Sequence, residues 1–204
     1  MGLELFLVAG ALALALAMRP WRLLAGGRLV TPLLATLVVL PWLWALPTLH
    51  ANPLQLHWSG ACLVLLMLGW PLAIPVLCTA AAIAGLLASL GWTQALALAA
   101  WLGVVPATIG LALGAAIRRL LGTHPFVYLL GRAFLGSVVA LFAASALRQW
   151  SGDSLQGVAP GLSLVAHWLT AWGDAFVTGM LAAVFMAYRP QWLATWSDAL
   201  ALRR

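Results

Sequence analysis

Residues 95–117, ALALAAWLGVVPATIGLALGAAI, form an uncharged stretch that is followed directly by Arg118 and Arg119. An α-helix needs about 20 consecutive apolar residues to cross the hydrocarbon core of a bilayer. The stretch is therefore long enough to span a membrane, and the paired arginines mark where it leaves the apolar region. Similar stretches recur along the chain, so this pattern decides the fold class.

The composition agrees with this interpretation. Hydrophobic residues make up 65% of the 204 residues and charged residues only 7%, whereas soluble domains are about half apolar and a quarter charged. We therefore predict an all-α, polytopic transmembrane bundle, with residues 1–190 as one membrane domain. Trp192, Trp196 and the terminal arginines predict a short cytoplasmic interfacial tail over residues 191–204.

Seven apolar stretches are predicted to be spans, of which the third is short. A break near Gly69 to Pro71 divides one long run into the third and fourth spans, because proline disrupts the helical hydrogen-bond ladder. The predicted spans are Leu3 to Met18, Leu29 to Leu49, Leu56 to Trp70, Leu72 to Leu90, Ala95 to Ile117, Phe126 to Leu147 and Leu162 to Tyr188.

The arginines predict the orientation of the bundle. With seven spans, eight of the ten arginines fall on one side, and cytoplasmic loops carry an excess of basic residues. The N-terminus is then outside and the C-terminus in the cytoplasm. The eight are Arg19, Arg22, Arg28, Arg118, Arg119, Arg189, Arg203 and Arg204.

The sequence also excludes several functions. Every basic residue is an arginine, so the lysine of a P-loop for nucleotide hydrolysis is missing. The hydrolase patterns HExxH and GxSxG are absent as well. We expect neither an enzyme nor a bound prosthetic group. Most arginines stand singly between apolar runs, which argues against a nucleic-acid partner.

Two histidines flank a loop predicted to face outward. His50 and His57 enclose the segment HANPLQLH, and imidazoles suit nickel, cobalt, copper and zinc. This spacing fits a metal site, and it also fits interfacial histidines that bond to lipid or backbone.

His167 and Asp174 lie two helical turns apart on the seventh span, so they share one face. A carboxylate at membrane depth needs a donor or a cation. Arg132 in the sixth span is one candidate partner, and a polar network around Thr178 is the other. A purely structural ion pair fits the same residues.

Small residues predict two close helix contacts. Gly110 and Gly114 have GxxxG spacing, and alanines at alternate positions from Ala9 to Ala17 smooth the first span. Packing within the bundle and docking of another subunit both fit this pattern.

Three stretches are similar to the CbiM family of substrate-binding membrane components in energy-coupling-factor cobalt and nickel importers. They are HWSGACLVLLMLGWPLA (His57 to Ala73), LGVVPATIGLALGAAIRRLL (Leu102 to Leu121) and HWLTAWGDAFVTGMLAAVFMAYRPQW (His167 to Trp192). The resemblance covers about Gln55 to Trp196. It implies seven spans with the N-terminus outside, in a bacterial inner membrane.

The resemblance also implies ligands. In the family, nitrogen atoms of an N-terminal Met-His segment and of the histidine matched by His57 hold the metal. The chain begins Met1-Gly2, so the second-position histidine is absent, and Met1 and His50 are the candidates to complete the set. His167 and Asp174 match the family's histidine and acid on the last span, where they support the ligands or the structure.

We therefore expect a component for uptake of Ni(II) or Co(II), working with a transmembrane coupling subunit and cytoplasmic ATPases. Two alternatives remain: a non-transporting scaffold of the same fold, and a permease component for another small molecule, with an aromatic pocket formed by Trp58, Trp101 and Trp168.

Overall fold

The computed structural model describes residues 2–49, 58–122, 124–152 and 160–196, and every regular element in these ranges is helical. The helices, numbered along the chain, are α1 (Gly2–Ala17), α2 (Trp21–Leu24), α3 (Val30–Leu49), α4 (Ala61–Leu68), α5 (Trp70–Leu87), α6 (Trp92–Leu121), α7 (Val127–Trp150) and α8 (Pro160–Tyr188).

Five of these helices, α3, α5, α6, α7 and α8, are long and apolar enough to cross a membrane. The prediction of a polytopic all-α membrane protein is confirmed at this level. The 16 residues of α1 are apolar but fall just short of the usual length of a span. The count of seven spans and the orientation of the termini stay predictions.

The predicted third span differs most from expectation. Its helical part, α4, has eight residues and is only about 12 Å long, less than half of the hydrocarbon thickness. All eight residues are buried, and α4 contacts each of the five long helices. It is therefore a half-helix enclosed by protein, and the non-helical residues Ser59 and Gly60 before it are buried as well, so protein shields their backbone from lipid.

The break between α4 and α5 lies at Gly69, as the sequence predicted to within two residues. Its φ of 74° favours glycine. Pro71 lies in the first turn of α5, where its missing N–H costs no helical hydrogen bond. Glycine thus ends one helix and proline starts the next.

Two segments of wider π-helical turns were not predicted. They cover Ala99–Val104 within α6 and Val127–Leu135 at the start of α7. Such segments shift the register of backbone hydrogen bonds and often occur at functional sites. The first supplies Trp101 and Leu102 to the site described below.

The chain after α8 turns back into the bundle. Leu193 and Trp196 are buried in the main hydrophobic core, and the Thr195 hydroxyl donates to the Leu66 carbonyl near the end of α4. The described part of the predicted interfacial tail thus packs against protein. Residues 197–204 lie outside the described residues.

Candidate functional site

Ser59, just before α4, is held by three distant parts of the chain and by the first residue of α4. Its backbone N–H donates to Asp174 Oδ2 at 2.8 Å, and its carbonyl accepts a bond from Trp44 Nε1 at 3.1 Å. Its hydroxyl donates to the Leu102 carbonyl at 2.7 Å and accepts from the Ala61 N–H at 3.2 Å. Helices α3, α6 and α8 are thereby joined at the start of α4, in what we call the Ser59 network.

Asp174 is the anionic member of this network and is only 2% exposed. Besides Ser59, the Gly60 N–H donates to Asp174 Oδ2 at 3.0 Å, and the Thr178 hydroxyl donates to Oδ1 at 3.3 Å. The carboxylate lies at the N-terminus of α4, where the helix dipole favours negative charge. It satisfies backbone N–H groups that would otherwise lack acceptors at a buried helix start.

The sequence explains why the Leu102 carbonyl can accept a hydrogen bond from Ser59. Pro106 lies four residues after Leu102 within α6 and has no N–H to donate back to it. The Ser59 hydroxyl supplies a donor in its place. A buried carbonyl whose usual α-helical donor is missing thus accepts a hydrogen bond from a distant segment.

Gly60 gives the chain its turn into α4. Its φ is +63°, and a Cβ there would lie 2.9 Å from the Trp58 ring and 3.1 Å from the Leu40 side chain. Both its conformation and its close contacts therefore require glycine.

We expect Gly60→Ala to lower the free energy of unfolding by about 3 kcal/mol, from left-handed backbone strain together with overpacking. Gly122→Ala is the matched control, because Gly122 has φ +79° with nothing within 4 Å of a Cβ. It should cost about 1 kcal/mol. Thermal unfolding in detergent compares the two, and equal losses would show that the Trp58 contact is unimportant.

A cavity of about 60 Å³ borders the Ser59 network, enough for a few water molecules. Polar groups from three long helices face it together with Ser59. They include Arg148 from α7, and His167, Thr170 and Asp174 from α8. Along α8 the cavity extends over two helical turns, from His167 to Asp174.

Glu4 connects α1 to the same cavity. Trp101 lines the cavity and donates its indole N–H to Glu4 Oε1 at 3.3 Å. Since Glu4 lies in the first turn of α1, the N-terminal end of α1 lies beside this cavity.

The structure brings together two of the predicted site residues. His167 and Asp174 face one cavity, as their spacing predicted. Asp174 bonds to Thr178, which was one of its two predicted partners. Met1, His50 and His57 lie outside the described residues, so their roles as ligands stay predictions.

Arg132, the other predicted partner, is not paired with Asp174 in the described residues. It borders a different cavity with Tyr128 and Thr195, and the Asp174 oxygens are occupied by three other donors. Of the two candidate partners, Asp174 bonds to Thr178 and not to Arg132, because backbone N–H groups supply the other donors that its carboxylate needs.

The three tryptophans of the alternative pocket do not line one cavity. Trp101 faces the cavity, Trp58 packs over Gly60, and Trp168 lies edge-on to Phe142 and Trp172. Within the described residues, no group of three or more His, Cys, Asp or Glu side chains is arranged to hold a metal ion.

Sequence reasoning missed Trp44 and Ser59 as site residues. Their bonds to the network use backbone atoms of distant segments, which leave little trace in a single sequence. The missing N–H of Pro106 was the one local signal, since it predicts an additional donor for Leu102.

Nearly the whole chain, including α4 and Asp174, matches a known family. A family model described as "CbiM: Cobalt uptake substrate-specific transmembrane region" matches residues 2–192. The chain belongs to the CbiM family. Comparisons with curated proteins and with solved structures find no match. The CbiM match also covers α1 and α3, which precede the stretches that carried the resemblance.

Membership in the CbiM family assigns the chain to cobalt uptake as a substrate-specific membrane component. This is the activity of a transporter component rather than an enzyme. The exposed apolar side chains along the long helices, such as Leu86 and Leu120 at 82% each, fit contact with lipid.

Proposed function

We propose that the protein is the membrane-embedded, substrate-binding component for uptake of Ni(II) or Co(II), energised by separate subunits. The observation that carries this proposal is the Ser59 network. Only Trp58 separates Ser59 from His57, so chain connectivity keeps the His57 backbone within about 7 Å of a point fixed by three helices. Because His57 is this close in the chain to a fixed residue, its backbone can move little from the position needed to bind a metal.

The substrate ion is bound by His57, with His50 and Met1 completing the set. Imidazole and amine nitrogens suit nickel and cobalt. His167 and Asp174 act from the facing helix: Asp174 fixes the backbone beside His57, and His167 contributes a polar group to the cavity next to it. Groups that orient ligands in this way strongly affect metal affinity.

Energy comes from a transmembrane coupling subunit and cytoplasmic ATPases. The N-terminus and the cavity face outward, as the arginine distribution predicts, in the inner membrane of a bacterium. An exposed stripe of small residues on α1, formed by Ala9, Ala13 and Ala17, suits close packing of a helix from the coupling subunit. By contrast, Gly110 and Gly114 face α4 and α7 inside the bundle.

Elemental mass spectrometry of the purified protein tests the function. Near-stoichiometric nickel or cobalt, together with uptake of that metal by cells that produce the protein and its partner subunits, would support it. A metal-free protein whose thermal stability does not change when either metal is added would sink the proposal and favour the scaffold interpretation.

We expect Ala13→Trp to disrupt copurification of the coupling subunit at least tenfold while leaving thermal stability unchanged, because a large ring on the small-residue stripe prevents close helix approach. Leu14→Trp is the control, since Leu14 is 64% exposed on α1 but lies off that stripe. Equal copurification of both variants with the wild type would show that this face of α1 does not bind the subunit.

A further inference from the structure

Arg132 is a partly buried cation whose Nε atom is buried and has no hydrogen-bond partner among the described residues. Its guanidinium lies 5.8 Å from the centre of the Tyr128 ring. A cation–π contact of this kind stabilises a guanidinium but does not neutralise it. An uncompensated charge within a membrane is costly. We therefore expect an anion to bind next to the Arg132 guanidinium.

The position of Arg132 indicates the depth of that anion. It lies five residues after the start of α7, which is about 7.5 Å along the helix axis. Side chains of a helix lean toward its N-terminus, and Tyr128 lies one turn earlier in that direction. The guanidinium therefore lies near the start of α7, facing Gly114 of α6, and an anion bound to it would lie at that end of the bundle.

The packing of α6 makes room for this side chain. A Cβ at Gly114 would lie 2.6 Å from Arg132 Nε. The absence of a side chain at Gly114 thus lets the guanidinium pass between α6 and α7.

A second cation borders the same space. A cavity of about 20 Å³ is lined by Arg118, Tyr128, Arg132 and Thr195, and it also reaches Gly122. The exposed side chains of Leu121 and Phe126 lie next to these residues in the chain. Two guanidinium groups beside an apolar surface have the chemistry of a site for a phosphate that carries acyl chains.

We propose that Arg132 and Arg118 bind the phosphate of an anionic phospholipid at this end of the bundle. The phosphate lies at the mouth of the cavity between α6 and α7, and the acyl chains run along the exposed apolar surface of these helices. The bound lipid neutralises Arg132 and stabilises the contact between α6 and α7.

Native mass spectrometry tests this site with phosphatidylglycerol and phosphatidylcholine as probes. We expect the wild type to retain phosphatidylglycerol over phosphatidylcholine, and Arg132→Gln to reduce that retention roughly fivefold to tenfold. Arg119→Gln is the matched control, because Arg119 is exposed in the same turn of α6 but does not line the cavity. It should bind the lipid as the wild type does.

The Arg132→Gln variant could lose lipid simply because it misfolds, so a second measurement uses the wild type and a variant of the exposed Arg118. Phosphatidylglycerol should raise the midpoint of thermal unfolding of the wild type more than phosphatidylcholine does, and Arg118→Gln should reduce this difference. An equal loss of lipid in the Arg119→Gln and Arg132→Gln variants would overturn the site.

Two further outcomes would overturn the lipid assignment. Inorganic phosphate that stabilises the wild type as strongly as phosphatidylglycerol, with no lipid retained, would identify a site for free phosphate. An Asp198→Asn variant as unstable as Arg132→Gln, again with no lipid retained, would identify the chain's own carboxylate as the anion. Asp198 lies outside the described residues.

Discussion

Replacing His57 with alanine is expected to abolish near-stoichiometric nickel or cobalt in the purified protein. Loss of a group that merely orients a ligand costs about 10- to 100-fold in metal affinity, and loss of a ligand itself should cost at least as much. Elemental mass spectrometry after gel filtration measures the bound metal directly. Uptake of the same metal by cells should fall with it.

Three other histidine variants serve as controls and comparisons for His57→Ala. His124→Ala is the control, since His124 is exposed beside the start of α7 and should leave metal content unchanged. His50→Ala and His167→Ala should each lower affinity less than His57→Ala. Full metal content in the His57→Ala protein would refute the proposed ligand and would direct attention to the cavity that His167 lines.

Asp174→Ala is expected to lower the free energy of unfolding by about 3 kcal/mol or more. The backbone N–H groups of Ser59 and Gly60 would lose their acceptor, and a buried unsatisfied donor costs about 1–3 kcal/mol. Bound metal should fall as well, because the segment next to His57 would no longer be fixed. Thermal unfolding and metal content are measured on the same preparation.

Two controls separate the hydrogen bonds from burial and charge. Ser163→Ala removes a fully buried hydroxyl on the same helix that has no hydrogen-bond partner among the described residues. It should therefore change the free energy of unfolding little. Asp174→Asn keeps one oxygen for the two N–H groups and should cost about 1 kcal/mol through the lost charge. If Asp174→Ala were no less stable than Ser163→Ala, the carboxylate would not hold the start of α4.

The features that sequence predicted well are those with a local cause. The long apolar runs specified the five spanning helices, and Gly69 with Pro71 marked the break between α4 and α5. The shared face of His167 and Asp174 followed from helical periodicity alone. Each of these signals lies within a few turns of one helix.

The features that it missed depend on distant segments. The predicted third span proved to have an eight-residue helix because Ser59 and Gly60, before it, bond to other helices instead of continuing it. Asp174 was assigned a cationic side chain as one candidate partner, whereas its donors are backbone N–H groups. Every residue except proline carries such a group, so composition and spacing cannot single out the right one.

The sequence by itself determined that this chain is a helical membrane protein. Lipid accepts only apolar side chains and internally bonded backbone, and both requirements can be read from consecutive residues. The tertiary structure alone decided what Asp174 does. Its partners Ser59 and Gly60 lie 115 and 114 residues away, and they need an acceptor only because the surrounding helices exclude water from the start of α4.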